Sequence, residues 1–365
     1  MKISEVINCL EEFAHLSLQE GYDNAGLLVG SSEDDCTGIL TTLDVTEPVI
    51  EEAARKNCNL IVAHHPIIFK GLKKINGKNY VERTVIAAIK NNIAVYAIHT
   101  NLDNVANGVN QKIAQKLNLR NTKVLVPKEG ALNKLVTFCP KENAEAVRNA
   151  LFKAGAGTIG KYSECSFNLE GSGTFRAGEG AEPFVGKIGE QHEENETRIE
   201  VIFPGYAQNQ LIRSLKEAHP YEEVAYDIYA LSNRHNDIGS GLVGDFPGPV
   251  SEEELLSGLK TAFDLRVIRH TAFIHKKITK AAICGGAGSF LIPAAKSSGA
   301  GVYITSDVKY HEFFDADNTI LLADIGHFES EQFTIDLLAD ILQQKFCNFA
   351  VLKTEIKTNP VNYYL

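Results

Sequence analysis

The run Val62-Ala63-His64-His65-Pro66 constrains this chain more than any other stretch. It closes an apolar segment, Leu60–Ala63, that reads as a buried strand. Two adjacent imidazoles at a strand exit need polar partners, which a core strand end rarely offers. Two further apolar segments end in the same way. Val95–Ile98 leads into His99-Thr100-Asn101-Leu102-Asp103, and Ile320–Ala323 leads into Asp324-Ile325-Gly326-His327-Phe328-Glu329-Ser330-Glu331. Open α/β sheets build their sites at such carboxyl strand ends.

The rhythm of the chain divides it in three. Residues 1–129 alternate strand and helix: Gly38–Leu43, Glu47–Lys56, Leu60–Ala63, Val81–Asn91, Ile93–Ile98, then a helix over Val105–Leu117. That alternation predicts a parallel sheet with right-handed crossovers. Residues 130–234 read instead as β-α-β-β-α-β, with strands at Asn133–Cys139, Arg198–Phe203 and Glu223–Ala230 and helices at Ala144–Lys153 and Gln208–Ala218. Acidic and Gly-rich loops run through Gly189–Asn195, and the whole has the order of an inserted ferredoxin-like domain. Residues 235–365 return to the first rhythm: a helix at Ser251–Phe263, a strand at Ala281–Cys284, a helix at Phe290–Ser298, strands at Val302–Thr305 and Ile320–Ala323, and a closing helix over Glu331–Lys345. The first and last parts share a pattern of ligand-bearing turns, so the fold class is α/β, with two related halves facing one site and an inserted α+β domain.

Composition excludes several classes. A net charge of −10 over 365 residues argues against nucleic acid as the main partner. Apolar runs are too short to span a bilayer, and Met1–Ala14 reads as an amphipathic helix rather than a signal peptide. Seven cysteines with no Cys-x-x-Cys pair fit a reducing compartment, hence a cytoplasmic protein. Cys284, beside a Gly-rich turn, reads as a small apolar strand-end residue rather than a nucleophile.

The chemistry rests on convergence. His327 and Glu331 stand four apart at a helix start and share a face. Alone, such a pair equally suits an exposed first turn, just as Asp103 alone would suit a cap. Together, His64, His65, Asp103, His327 and Glu331 exceed what one tetrahedral metal with an open position needs. The surplus favours two divalent metals per chain, zinc first, with iron or manganese also suited to these donors. Glu331 is expected to bridge them, with His64 and His65 diverging toward different ions. His99 and Asp307 are candidates for a catalytic or supporting role, and each equally suits a structural one. The Gly285–Gly288 turn could cradle an anion, but lacks the dinucleotide fingerprint and reads as a tight turn.

Gly21-Tyr22-Asp23-Asn24-Ala25-Gly26-Leu27-Leu28-Val29-Gly30, Ala63-His64-His65-Pro66, His99–Asp103 and Gly326–Glu331 resemble the signatures of the NIF-three-like family, also called the GTP cyclohydrolase I type 2 family. The insert, with His219-Pro220-Tyr221-Glu222-Glu223, is similar to the PII/CutA-like insert of its longer bacterial members. The resemblance implies a dinuclear centre on the five residues named, a homohexamer enclosing a cavity, and a hydrolase acting on a nucleotide-like or phosphoester substrate. A metal-binding regulatory or chaperone protein with little catalysis is the alternative. His192 and His219 are the first suspects for any ligand supplied by the insert.

Overall fold

A computed structural model describes residues 1–364. Two compact units emerge, one of Met1–Pro127 with the chain from Asp237 onward, the other of Lys128–Asn236. In chain order the strands are β1 (Gly26–Val29), β2 (Ile39–Thr42), β3 (Leu60–Ala63), β4 (Ala94–Ala97) and β5 (Arg120–Lys128). Then come β6 (Leu132–Pro140), β7 (Phe167–Arg176), β8 (Gln191–Pro204) and β9 (Tyr226–Ala230). The remainder are β10 (His235–Val250), β11 (Arg269–His270), β12 (Ile278–Ala287), β13 (Val302–Ser306), β14 (Leu321–Asp324) and β15 (Val351–Lys353).

The first unit holds two sheets. One has the order β1-β4-β3-β2-β15, the other β11-β14-β13-β12-β10-β5. Strands β2, β3 and β4 are parallel, as the alternation predicts, and β1 adds to β4 antiparallel. The side-chain period of two explains the layering. Leu60 and Val62 enter one core, while Ile61 and Ala63 enter another beneath the Glu47–Arg55 and Tyr80–Lys90 helices. In the second sheet Ile283, Ile304 and Ala323 enter that same first core, while Cys284, Tyr303 and Leu322 face away. One face of each sheet therefore shares a single core, filled between by Leu10, Ile113, Leu259 and Leu338 from four helices. Burial on both faces is why these strands are continuous apolar runs.

The sheets also exchange edges. β15, from the end of the chain, pairs parallel with β2 of the first sheet, and β5, from the first part, closes an edge of the second. Four of the five strands without a sequence signal, β1, β5, β11 and β15, are edge strands; the fifth is β10.

Two helices differ from expectation. The helix expected over Val105–Leu117 splits into Thr100–Asp103 and Val109–Lys116. The backbone between is diverted: Val105 bridges Ile238 and the Ala106 amide donates to Asp237 O at 2.9 Å. The closing helix likewise breaks into His327–Glu331 and Thr334–Lys345. At the break the Gln332 side-chain amide donates to Phe263 O and Glu329 O.

In the second unit the sheet order is β7-β8-β6-β9, antiparallel throughout. Its Ala144–Lys153 and Gln208–Ala218 helices share one core with Leu135, Ile199 and Val201 of the sheet. The acidic Gln191–Asn195 stretch, expected as loop, is the start of β8 paired with β7. Its charged side chains alternate between exposed and half-buried, so a half-solvated ladder carries them. None of the helices among the described residues is long and apolar enough to cross a membrane.

Candidate metal centre

Five residues singled out in the sequence meet at the carboxyl ends of strands in both sheets of the first unit, not of one sheet. His64 and His65 extend β3, their amides donating to Thr42 O and Leu43 O at 3.2 and 2.9 Å. Asp103 ends the short helix after β4, and His327 and Glu331 share the short helix after β14. Asp324 braces that last turn. It accepts from Gly326 N at 3.1 Å and Val308 N at 3.0 Å, and pairs with Arg269.

Four imidazoles are oriented by one rule: Nδ1 is tied to an oxygen, which leaves Nε2. His64 Nδ1 lies 2.9 Å from Ile98 O, His65 Nδ1 2.8 Å from Asp44 Oδ1, His99 Nδ1 2.8 Å from Asp23 Oδ1, and His327 Nδ1 2.7 Å from Asp307 Oδ2. A carbonyl only accepts, so His64 Nδ1 carries the proton and its Nε2 is a bare lone pair. Such outer partners fix tautomer and ring direction in metal sites.

Glu331 sits at the centre, buried. Its Oε2 is 3.0 Å from His65 Nε2 and 3.1 Å from His327 Nε2, while its Oε1 is 3.8 Å from His64 Nε2. Asp103 Oδ1 lies 3.6 Å from His64 Nε2. The donor atoms form three overlapping groups, each within 4.8 Å: His65-His327-Glu331, His64-Asp103-Glu331 and His64-His65-His99. Gly286, at φ +63°, makes room for the carboxylate, since a Cβ there would strike Glu331 Oε1.

His64 Nε2 and Asp103 Oδ1 are both buried with no hydrogen-bond partner among the described residues. An imidazole lone pair facing a carboxylate oxygen is an arrangement suited to a cation between them. Imidazole and carboxylate together are the donor set of a divalent transition ion.

Without a cation the cluster is a network of protons. Burial opposes charge on His65, but bonds to Asp44 and Glu331 prevail and raise its pKa to about 9. Burial also opposes charge on His327, yet Glu331 and Asp307 raise it to about 11. Asp103 is pushed up to about 7, by burial first and then by the Glu331 charge. Glu331 itself stays well below the usual carboxylate range despite its burial, because the His327 charge and the bonds from His327 and His65 hold it ionised.

The cluster opens into a cavity of about 410 Å³, with His65, His99, Asp103, His327 and Glu331 in its wall. Tyr22, Phe69 and Phe290 line it too and remain exposed. The Tyr22 and Phe69 rings lie 6.3 Å apart, and Phe69 stands edge-on to His99 at 6.2 Å.

Other sequence candidates sort cleanly. Asp307 orients His327 rather than lining the cavity. Cys284 is a buried wall residue whose thiol burial pushes well up, which suits a packing role better than a nucleophilic one. The Gly285 and Gly286 amides donate to Asn110 Oδ1 and Ser330 Oγ, both at 3.0 Å, so neither is left for an anion. His192 bonds Glu194 and His219 bonds Phe138 O, each within the second unit. Sequence reasoning missed Asp44 and Asp23. Asp44 carries a legible signal, an acid two residues past the buried strand β2.

The same arrangement of chain has relatives. The sequence matches the model of the family described as Duf34/NIF3 (NGG1p interacting factor 3) over residues 1–360. A Bacillus subtilis protein named "GTP cyclohydrolase 1 type 2 homolog" is 38% identical, with 98% of each chain covered. One of the same name from Halalkalibacterium halodurans is 38% identical, with 100% of each covered. Among solved structures, a Bacillus cereus protein related to NIF3 superposes with a TM-score of 0.87 at 36% identity, covering 100% of this chain and 99% of the other. The chain belongs to the Duf34/NIF3 family.

Proposed function

We propose that the cluster holds two divalent metals, zinc first, and that the protein is a hydrolase acting on a nucleotide-like or phosphoester substrate. One observation carries this reading. The two oxygens of buried Glu331 face two different donor sets, His65 with His327 and His64 with Asp103. One carboxylate addressing two sets is the arrangement of a bridging ligand. Divalent ions held there supply Lewis acidity and make water a usable nucleophile at neutral pH.

The chain's own residues then have assignable tasks. Asp44 and Asp307 hold His65 and His327 in the ligating tautomer. His99, oriented by Asp23, stands in the cavity wall, where its other nitrogen can take or return a proton. Tyr22 and Phe69 offer faces to a planar ring, which favours a heteroaromatic substrate, in keeping with the name of the Bacillus subtilis relative.

Metal analysis of the purified, reconstituted protein tests the centre, with a His64→Ala/His327→Ala variant as control. About two ions per chain are expected. A value near zero, or one unchanged in the variant, overturns the proposal. A screen of nucleotides and phosphoesters then tests catalysis; metal retained without turnover of any of them would leave the regulatory reading. Truncating Asp44 or Asp307 to Ala should weaken metal affinity about 10–100-fold without removing a ligand. Competition against a chelating dye measures it.

We also read the core as two related α/β halves in a cytoplasmic homohexamer, and the second unit as a ferredoxin-like (PII/CutA-like) insertion. Its chain order and its sheet order β9-β6-β8-β7 support the last point. Seven free cysteines suit a reducing compartment. Light scattering should give the mass of about six chains. The insertion should be separable from the metal chemistry. β5 and β10, which lead to and from it, are neighbours in the second sheet. A short flexible linker in place of residues 130–234 should therefore close at small entropic cost and leave a folded core that binds metal. A folded core without metal would mean that the insertion supplies a ligand.

A further inference from the structure

The His219-Pro220-Tyr221-Glu222-Glu223 motif takes no part in the metal cluster, yet three of its side chains organise a separate cavity of about 320 Å³ within the second unit. Buried His219 donates from Nε2 to Phe138 O at 2.8 Å, so its Nδ1 is the acceptor for the Tyr221 amide at 3.1 Å. That bond sets the position of Tyr221, whose hydroxyl donates to Glu196 Oε1 at 2.9 Å. Glu222 accepts from the Glu182 amide at 2.9 Å and so ties down the loop carrying Pro183 and Phe184. Phe175 and Phe184 both pack near the Tyr221 ring, with centroids 6.4 and 6.2 Å away and planes tilted by 54° and 49°. Gly173 leaves the other Glu196 oxygen its space, since a Cβ there would collide with that carboxylate.

The result is three aromatic rings around one cavity, with Glu196, Glu222 and Glu223 as its carboxylate lining residues and no Lys or Arg among those described. Aromatic faces attract cations through their quadrupoles, and carboxylates add to that field. Apart from Thr174 the rest of the lining is apolar, with Ala177, Ala181 and Val185 in it. A bare metal ion or a strongly hydrated cation would lose too much solvation there. A cation with an apolar shell would not.

The geometry points to a binding site for a small organic cation of the alkylated-ammonium class in the second unit, held by Phe175, Phe184 and Tyr221 with Glu196 as counter-charge. This site is independent of the metal reading.

Titration calorimetry on the full-length protein tests it with choline as the probe. The control ligand is its uncharged isostere, in which a tert-butyl group replaces trimethylammonium. Choline should bind saturably, one per chain, and the isostere at least about tenfold more weakly. Phe184→Ala should weaken choline about tenfold or more; the residue is 54% exposed, so truncation leaves the core intact. Glu196→Gln should weaken choline while leaving the isostere unchanged, which separates lost charge from lost fold. No saturable heat with choline overturns the proposal. So does equal affinity for the isostere, or choline affinity unchanged in both variants.

Discussion

Glu331→Gln should strip metal from both positions at once. The substitution keeps the shape of the side chain and removes the charge that Oε1 and Oε2 present to His64 and to the His65–His327 pair. A ligand of one metal alone would lower the content by one ion and leave the other. A shared ligand lowers both, and by more than the about 10–100-fold that losing an outer partner costs. Glu329→Gln is the matched control. Glu329 lies on the same short helix, but its carboxylate accepts from the Asn359 side chain at 2.9 Å and lies outside the cavity wall. Metal content should survive there. Thermal melting distinguishes lost ligation from lost fold. Metal content of Glu331→Gln equal to that of the unaltered protein would rule out the bridging role.

Metal affinity should climb steeply with pH. Imidazole ligates only when neutral, so a protonated ring must shed its proton first. With pKa values of about 9 and about 11, His65 and His327 are both charged at pH 7 in the metal-free protein. Binding therefore releases one proton from each. The logarithm of the apparent affinity should rise by about two per pH unit between pH 7 and pH 9, and by about one above that. Below about pH 7 Asp103 also takes a proton, which steepens the dependence. The metal-free fold follows the opposite course. A histidine whose pKa is raised on folding contributes fully below its unfolded value of about 6.5. That contribution fades as pH rises through about 9 for His65 and about 11 for His327. Chelator competition at several pH values, corrected for protonation of the chelator, measures the slope. A flat profile would mean that the two rings are already neutral.

Local pattern determined a good deal of this protein. The apolar runs Leu60–Ala63, Ala94–Ala97 and Leu321–Asp324 are strands because burial on both faces demands continuous hydrophobicity, and that demand is written in adjacent residues. Ligands placed directly after such runs sit at carboxyl strand ends, so His64, His65, Asp103, His327 and Glu331 were legible as candidates, but that the ends of two different sheets meet was decided by the fold. The four-residue spacing of His327 and Glu331 is a helical neighbour relation and needs no tertiary information.

The tertiary structure decided the rest, because each missed feature depends on a partner remote in sequence. β15 and β5 are strands only where β2 and the second sheet offer them an edge, and no internal period marks them. The breaks after Asp103 and Glu331 arise from bonds to Asp237 and Phe263, far along the chain. Asp44 and Asp23 became partners of His65 and His99 only once residues 21 and 76 positions apart met. Ordinary acids in isolation, they acquire a role from the imidazole that folding sets beside them. A hydrophobic period reports what one element must bury, whereas hydrogen-bond partners across elements are chosen by packing.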